Sequence, residues 1–285
     1  MLRGGALGDL LLTFPVLDAI RRGFSQSFIE FWGIYPQAGL LQSVDRIARL
    51  DSLEVSPLFI SDPIPIGLSR RLREFDLAVS FLSDPEGVVA EHLGSAGVQQ
   101  VVNWSPMMQP GVHAVYQLAT VLEPLELELR DPVPRLAIDR NENPKSLLGF
   151  HPGSGSPAKN WPVESWIGFA EKTAQRFENL LLIGGEADDT LIRSFQRRCR
   201  LPVIQTLLHP NLWDLARALS KCSFFVGHDT GVTHLAAAVK TPTVALFGPT
   251  DPTVWRPLGD HVKIVQSRDA MMRSIGLSEV LAVIA

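Results

Sequence analysis

The chain has 285 residues, of which 46% are hydrophobic and 20% are charged, with a formal net charge of −4. Such a length and composition are typical of a globular protein of about two domains, and the acidic balance provides no global basic field that would attract nucleic acid. The 2 cysteines are too few for a disulfide framework or a cysteine-based metal site, which fits a reducing cytosol.

The first half of the chain alternates predicted strands and helices. Residues 1–3 form a short strand, and a glycine-rich turn at 4–8 leads into a helix whose apolar residues fall on one face. Further strands are predicted at 27–32, 47–53, 76–82 and 98–103, and helices at 86–93 and 113–122. This alternation predicts a parallel sheet with helices on both faces.

Two charged features of this half each allow two interpretations. Asp9 stands at the cap or in the first turn of the first helix, either as a capping carboxylate or as a catalytic or ligand-facing group. Arg70, Arg71 and Arg73 form either a solvated helix face or a patch for an anionic substrate.

A proline-rich, charged segment at residues 123–145 shows no periodicity beyond a short predicted strand at 135–138. It is the best domain boundary, so we expect domains at 1–140 and 141–285. In the second domain, strands are predicted at 147–151, 179–184, 202–205, 224–227, 243–247 and 262–265. Helices are predicted at 163–176, 188–198, 212–220, 232–240 and 277–285, and the last of these is long enough to pack back on the first domain.

The small and polar loops of both halves follow predicted strands, and ligands of parallel sheets bind at the carboxyl ends of strands. We therefore expect two Rossmann-like domains that face each other across a ligand cleft. Residues 224–252 stand out in this pattern, because a buried strand stops at Asp-Thr-Gly and opens a helix. The unpaired N–H groups and positive dipole of such a helix start favour an anion, most naturally a phosphate.

Individual polar residues near these loops have a functional and an ordinary interpretation. Lys159 is either a phosphate ligand or a surface lysine, and His234 either faces the same anion or bonds a backbone carbonyl. Glu186 ends a strand where a carboxylate commonly binds ribose hydroxyls. No dinucleotide fingerprint or P-loop is present, and His228 with His234 is the single ligand-like histidine pair, so we expect no metal.

Five ordered motifs carry a family resemblance across essentially the whole chain: GALGDLLLTFPVL at 5–17, HPGSGSPAKNWP at 151–162, LLIGGE at 181–186, GHDTGVTHLAAA at 227–238 and FGPTDP at 247–252. The chain resembles the ADP-heptose:lipopolysaccharide heptosyltransferases of glycosyltransferase family 9. The resemblance implies an α/β protein of the GT-B fold and an inverting, metal-independent transferase without a cofactor. It also implies that the C-terminal half binds a nucleoside-diphosphate sugar, ADP-heptose in this family.

The same resemblance implies roles for single residues. Asp9 corresponds to the catalytic base that deprotonates the acceptor hydroxyl. The donor-binding positions implied by the motifs are Ser154, Lys159, Glu186, Asp229, Thr230, Gly231 and His234. The acceptor that the resemblance implies is a lipopolysaccharide core or another cell-envelope glycan or glycolipid. We expect a cytoplasmic protein, and peripheral contact with the inner membrane stays open.

Two departures from the family pattern keep alternatives open. The first strand is shorter than is usual in the family, and the acidic stretch at 83–87 replaces a more basic or amide-bearing one. An acidic loop repels an anionic acceptor. The alternatives are a nucleotide-sugar-binding protein of the same fold without transfer activity and a GT-B sugar-nucleotide epimerase.

Overall fold

The computed structural model describes residues 1–34, 43–60, 63–104, 108–138 and 146–284, with the backbone alone for Glu186. It divides into two compact units, Met1–Pro132 and Val133–Ala285. The division precedes the expected boundary at residue 140 because the Leu136 N–H already donates to the Ala238 carbonyl, at 2.9 Å, in the second unit. The predicted strand at 135–138 is wrong, since this bond goes to the end of a helix and the segment pairs with no strand among the described residues.

The first unit is built on a parallel sheet. Its five described strands lie in the order β3-β2-β1-β4-β5 and span Leu2–Arg3 (β1), Glu30–Gly33 (β2), Arg46–Arg49 (β3), Leu77–Ser80 (β4) and Gln100–Asn103 (β5). The helices span Leu7–Gly23 (α1), Ile66–Leu72 (α2), Val88–Ala96 (α3) and Ala114–Leu118 (α4), with 3-10 helices at Ser56–Phe59 and Ala119–Leu125. The strand order reverses between β1 and β4, so the switch point of this sheet lies beside the turn that opens α1.

The second unit has the same architecture. Its six described strands lie in the order β11-β10-β9-β6-β7-β8 and span Leu147–His151 (β6), Asn179–Gly184 (β7), Ile204–Leu208 (β8), Phe224–His228 (β9), Thr243–Phe247 (β10) and Val262–Gln266 (β11). The helices span Val163–Thr173 (α5), Asp189–Arg198 (α6), Leu212–Ser220 (α7), Gly231–Ala238 (α8), Pro252–Trp255 (α9) and Leu277–Val283 (α10). The neighbours β6 and β9 form the switch point, so the loops after these two strands frame the expected ligand crevice.

Aromatic side chains dominate the core of the second unit. Phe150 of β6 stacks on Trp166 of α5 with ring centroids 5.7 Å apart, and Trp161 meets Trp166 edge-on at 5.3 Å. Such ring pairs stabilise a core by about 0.5–1.5 kcal/mol beyond their buried area. The buried Val280 of α10 belongs to this same core, so the last helix packs within the second unit, against α5 and β11.

Candidate functional site

The loops after β6 and β9 meet through an ion pair. Lys159 ends a 3-10 helix at Pro157–Lys159, and Asp229 follows directly after β9. Lys159 Nζ donates to Asp229 Oδ2 at 2.7 Å, with side-chain exposures of 29% for the lysine and 9% for the aspartate. The pair places a partly exposed ammonium group at the switch point of the sheet, where an anionic ligand is expected.

The start of α8 lies next to this pair. Its N-cap, Thr230, has extended backbone angles and makes no side-chain capping bond to the first turn. The first N–H groups of α8, beginning with Gly231, therefore lack side-chain caps and sit at the positive end of the helix. His234 lies one turn further along, is buried, and donates its backbone N–H to the Thr230 carbonyl at 3.2 Å. The carboxyl ends of the strands in the second sheet thus bring five predicted donor residues to the same side of that sheet: Lys159, Asp229, Thr230, Gly231 and His234.

Ser154 is also in this region, but its hydroxyl is used inside its own loop. Ser154 Oγ lies 2.6 Å from the Ser156 carbonyl and 2.7 Å from Asn160 Oδ1, and it accepts the Ser156 N–H at 3.2 Å. A hydroxyl has a single hydrogen to donate, so this group shapes the loop that carries Lys159. The side chain of Glu186 lies outside the described residues, and its backbone begins a 3-10 helix after β7.

His228, the last residue of β9, joins the two ends of the loop after β6. Its Nε2 accepts the backbone N–H of Trp161 at 2.9 Å, and its Nδ1 lies 3.2 Å from the Gly153 carbonyl. Burial lowers the pKa of His228 to about 3, so the ring is neutral at ordinary pH. His228 and His234 formed the single ligand-like histidine pair in the sequence, and in the structure the backbone of the loop engages both ring nitrogens of His228.

Asp188 forms a second set of buried contacts, which join the end of β6 to the segment that follows β7. Asp188 Oδ2 lies 2.9 Å from His151 Nε2 and accepts the Gly185 N–H at 2.8 Å. Burial favours a raised pKa for Asp188, but the hydrogen bonds from His151 and Gly185 and the charge of His151 outweigh it, so the pKa lies below its ordinary value. A Cβ atom on Gly153 would lie 1.8 Å from Asp188 Oδ1, so the carboxylate also requires a glycine there.

Asp188 was not predicted from the sequence as a site residue. Its signal is a carboxylate three residues after Gly185 at the start of a helix, the spacing of half a capping box. That spacing predicts the bond to Gly185, whereas the contact with His151 joins the end of β6 to the 3-10 helix after β7 and has no local pattern.

Asp9 lies in the first unit, in the first turn of α1 after β1. Its Oδ2 accepts the Ala6 N–H at 2.8 Å, and its Oδ1 pairs with Arg3 at 3.3 Å. Arg3 is 7% exposed and burial lowers its pKa, with the charge of Asp9 opposing that shift, whereas the Asp9 side chain is 33% exposed. Asp9 therefore caps α1, is oriented by a buried cation, and still reaches solvent.

The arginine cluster and the acidic loop of the first unit have local partners. Arg71 pairs with Glu30, which is 1% exposed, and its guanidinium lies 4.7 Å from the ring centroid of Trp32. Arg73 donates to the Ala96 carbonyl at 3.3 Å. In the acidic stretch at 83–87, Asp84 accepts two N–H groups at the start of α3, at 3.1 and 2.9 Å. Arg71 and Asp84 thus make contacts that stabilise the fold.

The described residues show neither a metal cluster nor a membrane-spanning helix. No group of three or more His, Cys, Asp or Glu side chains there is arranged to hold a metal ion. In the same part of the chain, every helix is too short or too polar to cross a membrane.

Two Rossmann-like units, with a candidate anion site at the switch point of the second, are the GT-B architecture of glycosyltransferases. The family model for glycosyltransferase family 9 (heptosyltransferase) matches residues 95–278. This match covers more than half of the sequence, and the chain belongs to that family.

Two curated relatives are similar to this chain, one over less than half of its length and one over most of it. Lipooligosaccharide heptosyltransferase 2 of Haemophilus influenzae is 29% identical over 127 residues, which cover 43% of this chain and 37% of the relative. Lipopolysaccharide heptosyltransferase 3 of Escherichia coli is 25% identical over 289 residues, which cover 90% of this chain and 83% of the relative.

Solved structures of heptosyltransferases have the same fold. ADP-heptose lps heptosyltransferase II of E. coli superposes with a TM-score of 0.81 at 17% identity, covering 99% of this chain and 96% of the other. E. coli heptosyltransferase WaaC with ADP superposes with a TM-score of 0.78 at 18% identity, covering 99% and 97%. At this level of identity the comparison establishes the fold.

Proposed function

We propose that this protein is an inverting, metal-independent glycosyltransferase that moves heptose from ADP-heptose to a lipopolysaccharide core or another cell-envelope glycan. The observation that carries the proposal is the juxtaposition of Lys159 with the uncapped start of α8 at the switch point of the second sheet. An ammonium group and a row of backbone N–H groups suit a diphosphate. Two of the similar E. coli structures are an ADP-heptose lps heptosyltransferase and a heptosyltransferase with ADP, which supports the choice of base and sugar.

Each donor-site residue has a proposed role in binding ADP-heptose. Lys159 binds the diphosphate and offsets the charge that develops on the departing ADP, and the backbone N–H groups of the N-cap Thr230 and of Gly231, the first residue of α8, bind the same oxygens. Asp229 holds the Lys159 ammonium group in place and, with His234, lines the sugar and phosphate pocket. Glu186 binds the ribose hydroxyls, and Ser154 acts by shaping the loop of Lys159.

Asp9 is assigned as the general base. One of its carboxylate oxygens takes the proton of the acceptor hydroxyl while the acceptor oxygen attacks the anomeric carbon from the side opposite ADP. The new C–O bond forms as the bond from the anomeric carbon to the phosphate oxygen breaks, so the configuration inverts and ADP leaves with the electron pair. Each carboxylate oxygen has about two lone-pair sites, so the bonds to Ala6 and Arg3 leave room for a substrate proton.

The test of this function is donor turnover by the purified protein, measured as ADP release from ADP-heptose with a lipopolysaccharide-core acceptor in the presence of EDTA. We expect Asp9→Asn to abolish turnover and to leave ADP binding unchanged, because the amide retains the cap but cannot take a proton. Full turnover by Asp9→Asn would remove the base assignment, and loss of wild-type turnover in EDTA would remove metal independence.

A matched control separates the base from the helix cap. Glu279 accepts the Gly276 N–H at 3.0 Å at the start of α10, which is the bond that Asp9 makes at the start of α1. Glu279→Ala should therefore lose about 1 kcal/mol of stability, as capping changes do, and keep full turnover.

One observation favours the alternative without transfer activity: the Asp9 carboxylate already accepts the Ala6 N–H at the start of α1. A protein that only binds nucleotide sugars would bind ADP-heptose and release no ADP in the presence of any acceptor. An epimerase would convert the donor sugar without an acceptor, which mass spectrometry and NMR of the recovered nucleotide sugar would detect.

A further inference from the structure

We propose that His228 is a positioning residue for the donor site, because its imidazole joins the two ends of the loop at residues 153–161 that carries Lys159. The inference rests on the proposed function. His228 is not among the residues assigned above to the donor or to the reacting atoms.

The geometry defines the tautomer of His228. The backbone N–H of Trp161 can only donate, so Nε2 of His228, 2.9 Å away, accepts and carries no proton. The proton of the neutral ring is therefore on Nδ1, which donates to the Gly153 carbonyl at 3.2 Å. One ring thus satisfies a donor at the end of the loop and an acceptor at its beginning.

The surroundings hold the ring in this state. His228 is 0% exposed, its ring meets Trp166 edge-on at 5.3 Å between centroids, and its own carbonyl accepts the Thr233 hydroxyl at 2.5 Å. Burial lowers its pKa to about 3; the bond to Gly153 and the charge of Asp188 oppose this shift, and the charge of His151 adds to it. A protonated ring would direct an N–H at the N–H of Trp161, so we expect no charge on His228 in the working range of an enzyme.

The connection to the donor site follows from chain position. Lys159 stands two residues before Trp161, and its partner Asp229 is the next residue after His228. The same two segments, the loop after β6 and the end of β9, are therefore joined by the His228 bonds and by the Lys159–Asp229 pair. Binding groups must be held within about 0.5 Å of their productive places, so loosening the loop moves the ammonium group relative to α8.

The experiment compares ADP affinity, by calorimetry on folded protein, for wild type and three variants. His228→Phe keeps a ring beside Trp166 and removes both bonds, and we expect affinity to fall about tenfold, the equivalent of one to two hydrogen bonds. His228→Gln keeps an amide donor and acceptor and should recover part of that loss. The control is Thr241→Val, which removes a buried side-chain bond of 2.8 Å to the Leu219 carbonyl at the opposite edge of the sheet, and it should leave ADP affinity unchanged.

Two measurements on the wild type test the loop contact without ADP. The ¹⁵N signals of His228 should show a protonated Nδ1 and an unprotonated Nε2 that do not change between about pH 8 and pH 5. The amide of Trp161 should exchange slowly, and faster in His228→Phe. A proton on Nε2, or titration in this range, would overturn the inference.

The outcomes separate the two proposals. A wild type that does not bind ADP contradicts the donor site itself. A wild type that binds ADP together with a His228→Phe variant of affinity within about twofold contradicts only the positioning role. If His228→Phe does not fold, His228→Leu, which also lacks both ring nitrogens, takes its place in the affinity comparison, and an unchanged affinity there has the same meaning.

Discussion

The loss of one ammonium group gives the sharpest test of the donor site. In Lys159→Ala, the diphosphate loses a charged hydrogen-bond donor, and Asp229, which is 9% exposed, loses its cation beside the bound anion. Hydrogen bonds to charged groups contribute about 1.5–3 kcal/mol, so ADP affinity should fall about 10- to 150-fold. The free protein should also lose stability, because Asp229 is 9% exposed and keeps its charge without the ammonium group beside it, so ADP affinity is compared on folded protein.

The assay is calorimetric titration with ADP at constant ionic strength, since exposed charges are screened by salt. Arg198→Ala is the matched control, because Arg198 pairs with Glu164 at 2.8 Å on the exposed surface of the same unit and its loss changes the net charge equally. We expect the control to bind ADP as the wild type does. Equal ADP affinity of Lys159→Ala and wild type, or equal losses in both variants, would refute the assignment of Lys159 to the diphosphate.

Two further predictions concern the buried contacts of Asp188 with His151 and Gly185. The pKa of Asp188 is lowered in the folded state, so its stabilisation is present above the ordinary carboxyl pKa of about 3.9 and is lost as pH falls through the lower folded value. The difference in unfolding free energy between wild type and Asp188→Asn, from denaturant titrations, should therefore shrink from about pH 5 to pH 2; a constant difference would contradict this. Gly153→Ala places a Cβ 1.8 Å from Asp188 Oδ1 and should destabilise by about 1–3 kcal/mol and weaken ADP binding, whereas Gly155→Ala, with open space at its Cβ, should do neither.

Local chemistry determined much of this protein in advance. Helix α7 occupies the residues predicted for it, Leu212–Ser220, and the structure adds that the Asn211 side chain caps it by accepting the Asp214 N–H. Strand β10, Thr243–Phe247, was likewise predicted residue by residue, because a buried parallel strand is an unbroken apolar run. The motif order also identified the family, which the family model confirms.

The tertiary structure decided the features that depend on contacts between distant segments. Local pattern suggested a strand at 135–138, but Leu136 bonds to the end of α8 instead. The sequence offered solvent or substrate as the environment of Arg71, and the structure pairs this helix residue with the buried Glu30 of strand β2. His228 contacts the loop after β6 because β6 and β9 are neighbours in the sheet although about 75 residues separate them in sequence. Periodicity and capping act within a few residues, whereas such pairings arise only when the strand order brings two loops to one edge.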